Sequence, residues 1–136
     1  MLRRSAFVLG AALCSPFVFS QSASNEQISL DEARRLHESG AAVLIDIREP
    51  QEHATGIAQG AKLLPMSQLA QRYKEIPLDR AKPVLLICRT QNRSSSTLRS
   101  LRKQLGESTY AHLRYVDGGM SEWAKRGWPM IKPPSP

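Results

Sequence analysis

Cys88 is the residue with the clearest chemical potential, because it stands where a predicted strand meets a predicted helix. Residues 83–88 form an apolar run typical of a buried strand, residues 89–92 form a short polar loop, and residues 93–96 predict a first helical turn. The thiol would face a helix N-terminus, with one arginine directly after it and another at the start of the helix. Both features stabilise a thiolate, the nucleophilic form of cysteine. We therefore expect a reactive thiol rather than a structural one.

The second cysteine, Cys14, lies in a segment that we expect to be removed. Two arginines precede an apolar run over residues 6–19, and the small Ser20 suits a cleavage site near that position. The run is shorter than the ~20 residues that span a bilayer and contains Pro16, which favours a signal peptide over a membrane anchor. We expect a cleaved signal at 1–20, a periplasmic or secreted mature protein, and no stable membrane insertion after cleavage. A single unpaired cysteine is unusual in such an oxidising compartment.

Composition limits the other functional classes. A chain of 136 residues with 41% apolar residues can form one core and has no room for a second. The net charge of +7 comes from basic residues spread over several predicted helices, which is typical of solvated faces and not of a nucleic-acid site. The three histidines lie far apart, so neither a metal ion nor a cofactor is expected. A monomer is the default for a compact single domain.

Strand and helix patterns alternate along the chain, which predicts an α/β domain with a central, mainly parallel sheet and helices on both faces. In such sheets ligands bind at the carboxyl ends of the strands, where Cys88 lies. Residues 21–27 would be a polar lead-in, residues 28–131 the domain, and residues 132–136 an extended proline-rich tail. The predicted elements are a helix capped by Ser29, strands at 43–47 and 61–64, a helix capped by Ser67, a strand at 83–88, a helix at 93–105, a strand at 111–116 and a final helix carrying Met120 and Trp123.

Three segments together resemble the rhodanese-like sulfurtransferases, over roughly residues 28 to 131. In chain order they are residues 46–52 with Gly56, Gly60, Ala61 and Pro65, the run Cys-Arg-Thr-Gln-Asn-Arg-Ser at 88–94, and residues 117–120 with Trp123 and residues 127–129. The middle run is similar to the active-site loop of that family. Three segments in register are far more specific than any one of them alone.

The resemblance implies a rhodanese-like domain and a ping-pong transfer of sulfur. Cys88 would be the nucleophile, taking the outer sulfur of a small anionic donor such as thiosulfate and passing it to cyanide, a thiol or a protein. The successive backbone N–H groups of the loop would form an anion cradle, and its two arginine side chains would attract the donor. The implied substrate-binding residues are Arg89, Thr90, Gln91, Asn92, Arg93 and Ser94.

Other residues of these segments are expected to play supporting roles. Asp46 and Arg48 would form a supporting ion pair. For Arg89 and Arg93, the alternatives to donor contact are solvent exposure and a structural ion pair with a carboxylate such as Asp46. Ser94 and Ser95 are expected to cap the helix, although a hydroxyl near the sulfur is the other option. Gly118, Gly119 and Trp123 are expected to be turn and core residues without a catalytic role.

Gln91 departs from the family pattern, which often has glycine at this position. Because glycine tolerates a left-handed backbone that costs other residues about 1 to 2 kcal/mol, Gln91 is expected to strain or reshape the loop. Its side-chain amide could also bond a sulfonate oxygen at the mouth. A second departure is Gly-Ile-Ala at residues 56–58, where the family commonly has Gly-His-Ile, and it should affect packing alone.

Two alternative functions remain open. Cysteine phosphatases and arsenate reductases use a loop one residue longer, and Ile87 replaces the histidine that phosphatases place before their cysteine. The loop is therefore a poor match to that class. The other alternative is a sulfur-carrier, redox-sensing or binding module of the same fold that turns over no substrate. Such modules usually lack the cysteine, so its presence favours catalysis.

Overall fold

The computed structural model describes Gly10 and residues 25–134, so the expected signal peptide lies almost wholly outside the described residues. No helix in the described part of the chain is both long and apolar enough to cross a membrane. The strands are β1 (Gln27–Ile28), β2 (Val43–Asp46), β3 (Ile57–Ala58), β4 (Lys62–Leu63), β5 (Val84–Ile87), β6 (Leu113–Val116) and β7 (Met130–Ile131). The α-helices are α1 (Leu30–Glu38), α2 (Pro50–His53), α3 (Leu69–Arg72), α4 (Asn92–Leu105) and α5 (Gly119–Lys125), and short 3₁₀ turns at Met66–Gln68 and Tyr73–Glu75 flank α3.

Five parallel strands form the central sheet in the order β1-β6-β5-β2-β4, while β3 and β7 form a separate antiparallel pair. The longest pairing joins β2 to β5, from Val43 opposite Val84 to Asp46 opposite Ile87. Parallel pairing brings the carboxyl ends of these strands to one edge. The chain segments that follow β2, β5 and β6 therefore meet there.

Helices cover both faces of the sheet, as the sequence predicts. Successive strand residues point to opposite faces. Leu44 and Leu85 pack in one core cluster with Trp123 of α5, whereas Ile45 and Leu86 belong to the other cluster. That second cluster also holds side chains of α4, together with Cys88.

The predicted helix caps have different outcomes. Ser29 caps α1, since its Oγ accepts a hydrogen bond of 3.2 Å from the Glu32 N–H. The predicted cap at Ser67 is wrong, because Ser67 lies in a 3₁₀ turn and its Oγ donates to the Glu49 carboxylate at 2.6 Å. Gln68, which precedes α3, makes no side-chain cap. The Ser67 hydroxyl, which the local sequence predicts as a helix cap, is instead bonded to the carboxylate of Glu49, 18 residues away in the chain.

Candidate active site

Cys88 directly follows β5 at the carboxyl edge of the sheet. It is a free cysteine, and only 1% of its surface is exposed. It lies on the sheet face covered by α4, in contact with the core cluster of that face. The thiol therefore sits at the floor of the loop that joins β5 to α4. Because it is almost fully buried, only a small, unhindered group of a reaction partner can reach it.

The N-terminus of α5 fixes the backbone of this loop. The N–H of Met120 donates to the Cys88 carbonyl at 2.8 Å, and the N–H of Ser121 donates to the Arg89 carbonyl at 2.9 Å. The described peptide bonds include no cis bond, so each carbonyl points opposite to the N–H of its own peptide unit. The N–H groups of Arg89 and Thr90 consequently point away from α5, toward the side on which the thiol lies.

Unpartnered backbone N–H groups line the loop. Among the described residues, none of the N–H groups of residues 89–94 donates to a backbone carbonyl, and Gln91 supplies no side-chain cap to α4. The first intrahelical bond runs from the Ser95 N–H to the Gln91 carbonyl at 2.9 Å. Consecutive free donors at a helix N-terminus attract anions.

Ser94 places a hydroxyl against the thiol. Its side chain is fully buried, its Oγ lies 3.4 Å from Cys88 Sγ, and that Oγ also donates to the Gln91 carbonyl at 3.2 Å. The Ser95 hydroxyl donates to the Asn92 carbonyl at 3.0 Å. Neither hydroxyl caps α4, so that expectation is wrong and the alternative, a hydroxyl near the sulfur, is the arrangement observed. By rotating, the Ser94 hydroxyl can donate to a thiolate in place of the carbonyl.

We expect Ser94→Ala to slow alkylation of Cys88 by iodoacetamide at neutral pH by roughly tenfold, because a hydrogen bond to a charged group is worth about 1.5 kcal/mol or more. The measurement is the rate constant of alkylation by intact mass, with Ser95→Ala as the matched control. The Ser95 hydroxyl serves only its own helix, so that variant should react within about twofold of the parent. Equal rates in both variants would show that the Ser94 hydroxyl does not stabilise the thiolate.

Gln91 does not adopt the left-handed backbone on which the expectation of strain rested. Its φ is −140° and its ψ is −5°, and no described residue other than glycine has a positive φ. The loop therefore passes this position along a backbone path that does not require glycine. Gln91 is half-buried, and its carbonyl accepts both the Ser94 hydroxyl and the Ser95 N–H.

Arg93 forms a bidentate ion pair with Glu52 of α2. Its two terminal nitrogens, Nη1 and Nη2, lie 2.8 and 2.7 Å from the two carboxylate oxygens of Glu52. The carboxylate also accepts the Glu49 N–H at 2.8 Å, within the capping box that starts α2. The hydrogen bonds from Arg93 are the main reason that the pKa of Glu52 is lowered from 4.5 to about 2. The carboxylate partner of Arg93 is thus Glu52 rather than the Asp46 named as the example from sequence.

This pair predicts a pH-dependent contribution to stability. Since the Glu52 pKa is depressed in the folded protein, its contribution is present above pH 4.5 and is lost as the pH falls toward about 2. The two side chains are 31% and 28% exposed, so screening limits the contribution to about 1 kcal/mol. We expect Glu52→Gln to reduce the free energy of unfolding by about that amount at pH 7, and the difference from the parent to vanish near pH 2. Urea unfolding across this range measures it, and a difference that is constant with pH would contradict the assignment.

Asp46 and Arg48 form the predicted supporting ion pair. Both are buried, and the Arg48 guanidinium donates to the Asp46 carboxylate at 2.6 and 3.0 Å. Its Nη2 also donates to the Gly56 carbonyl at 2.8 Å. The pair therefore ties the segment carrying α2, and with it Glu52, to the end of β2.

The remaining loop residues lie near the surface. Arg89 and Asn92 are exposed and Thr90 is half-buried. Arg89 lines a groove of about 530 Å³ beside the loop, together with residues of α2 and α5. Within residues 25–134, no carboxylate lies at ion-pair distance from Arg89, and no group of three or more acidic, histidine or cysteine side chains could hold a metal ion.

Sequence reasoning missed two residues of the site. Gly119 was expected to be a simple turn residue, yet a Cβ at this position would lie 2.5 and 2.6 Å from the carbonyl oxygens of Cys88 and Arg89, and closer still to that of Thr90. Its φ of +60° also favours glycine. Glu52 received no role, although its place three residues after Glu49 in a capping box was a visible local signal.

Comparison with known proteins gives a consistent family. The family model described as "Rhodanese-like domain" matches residues 29–126. A sulfurtransferase of Allochromatium vinosum is 35% identical over 109 residues, which cover 80% of this chain and 96% of that protein. A rhodanese-related protein of Thermoplasma volcanium superposes with a TM-score of 0.64 at 27% identity, over 79% of this chain and 99% of the other. The human single-domain sulfurtransferase TSTD1 gives a TM-score of 0.60 at 27% identity, over 74% and 96% of the two chains.

Proposed function

This chain belongs to the rhodanese-like domain family, and we propose that it is a sulfurtransferase that carries sulfane sulfur as a persulfide on Cys88. One observation carries the proposal most directly: a free thiol lies at the floor of a loop whose N–H groups, at residues 89–94, have no backbone acceptor among the described residues. A relative that is matched over 96% of its length is named a sulfurtransferase, which adds support.

The proposed reaction has two displacement steps. In the first, the Cys88 thiolate attacks the outer sulfur of a donor such as thiosulfate, a new S–S bond forms, the donor's own S–S bond breaks, and sulfite leaves with the bonding electron pair. In the second, a thiophilic acceptor such as cyanide attacks the outer sulfur of the Cys88 persulfide, and the thiolate is regenerated. A thiol or a protein thiol is an equivalent acceptor. No net oxidation of the protein takes place.

The loop supports both steps electrostatically. Negative charge remains near the sulfur throughout, first on the thiolate and then on the outer sulfur of the persulfide. The α5 contacts hold the N–H groups of Arg89 and Thr90 in place before the reaction, so these groups need no reorganisation when the charge moves. The Ser94 hydroxyl, which donates to the Gln91 carbonyl in the resting protein, can rotate to donate to the inner sulfur, since its Oγ lies 3.4 Å from Cys88 Sγ.

The experiment is the intact mass of the purified protein after incubation with thiosulfate, with Cys88→Ser as the control. We expect one added sulfur on the parent alone, and release of that sulfur as thiocyanate when cyanide is added. A sulfur that loads but is not discharged by cyanide or thiols would favour the carrier function. A parent protein that is folded and alkylated at Cys88, but takes up no sulfur from thiosulfate or a persulfide, would overturn the proposal.

We further propose that residues 1–20 direct export and are removed, so that Cys88 acts as a lone thiol in the periplasm or outside the cell. We also propose that the mature protein is a monomer. Fractionation of expressing cells, followed by the intact mass of the exported form, tests cleavage near Ser20. Retention of the full 136 residues in the cytoplasm would contradict it.

A further inference from the structure

We propose that Glu52 sets the donor class of this site: by holding Arg93 in a bidentate ion pair, it cancels the charge of that arginine and favours thiol persulfides over the thiosulfate dianion. The inference rests on the proposed sulfur transfer and concerns the identity of its donor. Glu52 is a positioning residue in this scheme, because it acts through Arg93 and not on the reacting sulfur.

The charges around the loop carry the first step. Arg93 lies in the first turn of α4 and is bonded end-on by Glu52, with both distances below 3 Å. The hydrogen bonds from Glu52 are the main reason that the pKa of Arg93 is raised, and Glu49 adds a smaller contribution, although its carboxylate bonds the Ser67 backbone N–H and hydroxyl and not the guanidinium. Arg48, the other nearby arginine of this segment, is neutralised by Asp46. Arg93 is therefore opposed by Glu52, while Arg89 has no carboxylate at ion-pair distance within residues 25–134.

The loss of the Arg93 charge is unfavourable for thiosulfate. The donor brings two negative charges toward a thiolate, and sulfite leaves with two as well, so only Arg89 and the backbone N–H groups are left to offset the repulsion. A thiol persulfide carries at most one charge at its reacting end. Its S–S bond breaks when the Cys88 thiolate takes the outer sulfur, and the parent thiolate leaves with the electron pair.

The groove beside Arg89 supplies the second step. It measures about 530 Å³ and joins polar side chains, among them Gln51 and Thr55, to the apolar side chains of Met120, Ala124 and Met130. The organic part of a thiol persulfide can bury apolar surface there, whereas thiosulfate, which has no organic part, gains nothing from the groove. Charge and shape thus favour the same donor class.

The test compares the parent with Glu52→Gln using two donors, thiosulfate and the persulfide of 2-mercaptoethanol, whose organic part is uncharged. The readout is the second-order rate constant for adding one sulfur to Cys88, by intact mass. We expect Glu52→Gln to raise the thiosulfate constant by roughly tenfold, to leave the persulfide constant within about twofold, and to lose the gain at high salt. Glutamine keeps an oxygen that can accept the Glu49 N–H, so the start of α2 is preserved.

Glu38→Gln is the matched control, since it removes one negative charge from another glutamate–arginine pair, at 2.7 Å from Arg34. Glu38 ends α1 at the opposite edge of the sheet from the loop, and we expect neither donor's constant to change. Glu49→Gln is a second test variant that leaves the Glu52–Arg93 pair intact. Glu49→Gln should also raise the rate constant for thiosulfate, but by less than Glu52→Gln does. If Glu52→Gln does not fold, Glu49→Gln is the variant that tests the proposal.

Two outcomes overturn the donor preference alone, given a parent that loads sulfur. One is a folded Glu52→Gln variant whose rate constant for thiosulfate is unchanged. The other is a Glu52→Gln variant whose rate constants fall equally with both donors, which would give Glu52 a purely structural role. If the parent loads sulfur from neither donor, the proposed function itself fails and the donor preference falls with it.

Discussion

Replacement of Gly119 by alanine is expected to destabilise the protein by about 3 kcal/mol and to slow the loading of sulfur onto Cys88 by at least about 100-fold. The residue combines a φ of +60° with three loop carbonyl oxygens that lie closer than 3 Å to the position of a Cβ. The left-handed backbone alone costs a non-glycine residue about 1 to 2 kcal/mol. The remaining cost is displacement of the loop backbone, because carbonyl oxygens of a hydrogen-bonded loop cannot rotate away as the end of a side chain can.

Gly118→Ala separates these two costs. Gly118 has a φ of +77°, but a Cβ there would meet only the flexible Glu122 side chain, at 3.0 and 3.2 Å. We expect this control to lose about 1 to 2 kcal/mol and to load sulfur at nearly the parent rate. Urea unfolding and the rate of sulfur loading by intact mass measure both effects. Equal losses of loading in the two variants would show that Gly119 matters for its backbone conformation and not for its contact with the loop.

The elements that carry the site could be predicted from sequence because their signals are local. The apolar run before Cys88 specifies β5, and the leucine spacing after Arg93 specifies α4, which begins one residue earlier than predicted, at Asn92. Ser29 is likewise followed three residues later by Glu32, and the cap forms. Each of these features depends on neighbours within a few positions of the chain.

The contacts that shape the loop could not be predicted, because they join segments that are distant in sequence. Glu52 and Arg93 are 41 residues apart and meet only because α2 and α4 begin at the same sheet edge. Gly119 contacts the carbonyls of the loop because α5 packs against it. Ser67 does not cap its helix because its hydroxyl is bonded to Glu49. The strain predicted at Gln91 failed for a related reason: a family preference for glycine says nothing about the φ that this loop adopts.

The second large effect is expected for Arg48→Met, which should reduce the free energy of unfolding by about 3 to 5 kcal/mol. Methionine keeps most of the apolar stem but leaves the Asp46 carboxylate, which is fully buried, without its cation. An uncompensated buried charge costs far more than the ion pair contributed, because no water replaces the lost partner. The Gly56 carbonyl would also lose its hydrogen bond from Arg48.

Arg72→Met is the matched control, because Arg72 binds Glu75 with comparable geometry, Nε–Oε2 2.6 Å and Nη2–Oε1 3.0 Å, in a pair whose side chains are 34% and 40% exposed. Exposed pairs contribute weakly to stability, so this variant should unfold at nearly the parent's urea concentration. If Arg48→Met proves no more destabilising than Arg72→Met, then another group compensates Asp46 in the variant, either water or the His53 ring, whose Nε2 lies 3.4 Å from the Asp46 Oδ1. The anchoring of α2 would in that case rest on the Glu49 and Glu52 contacts alone.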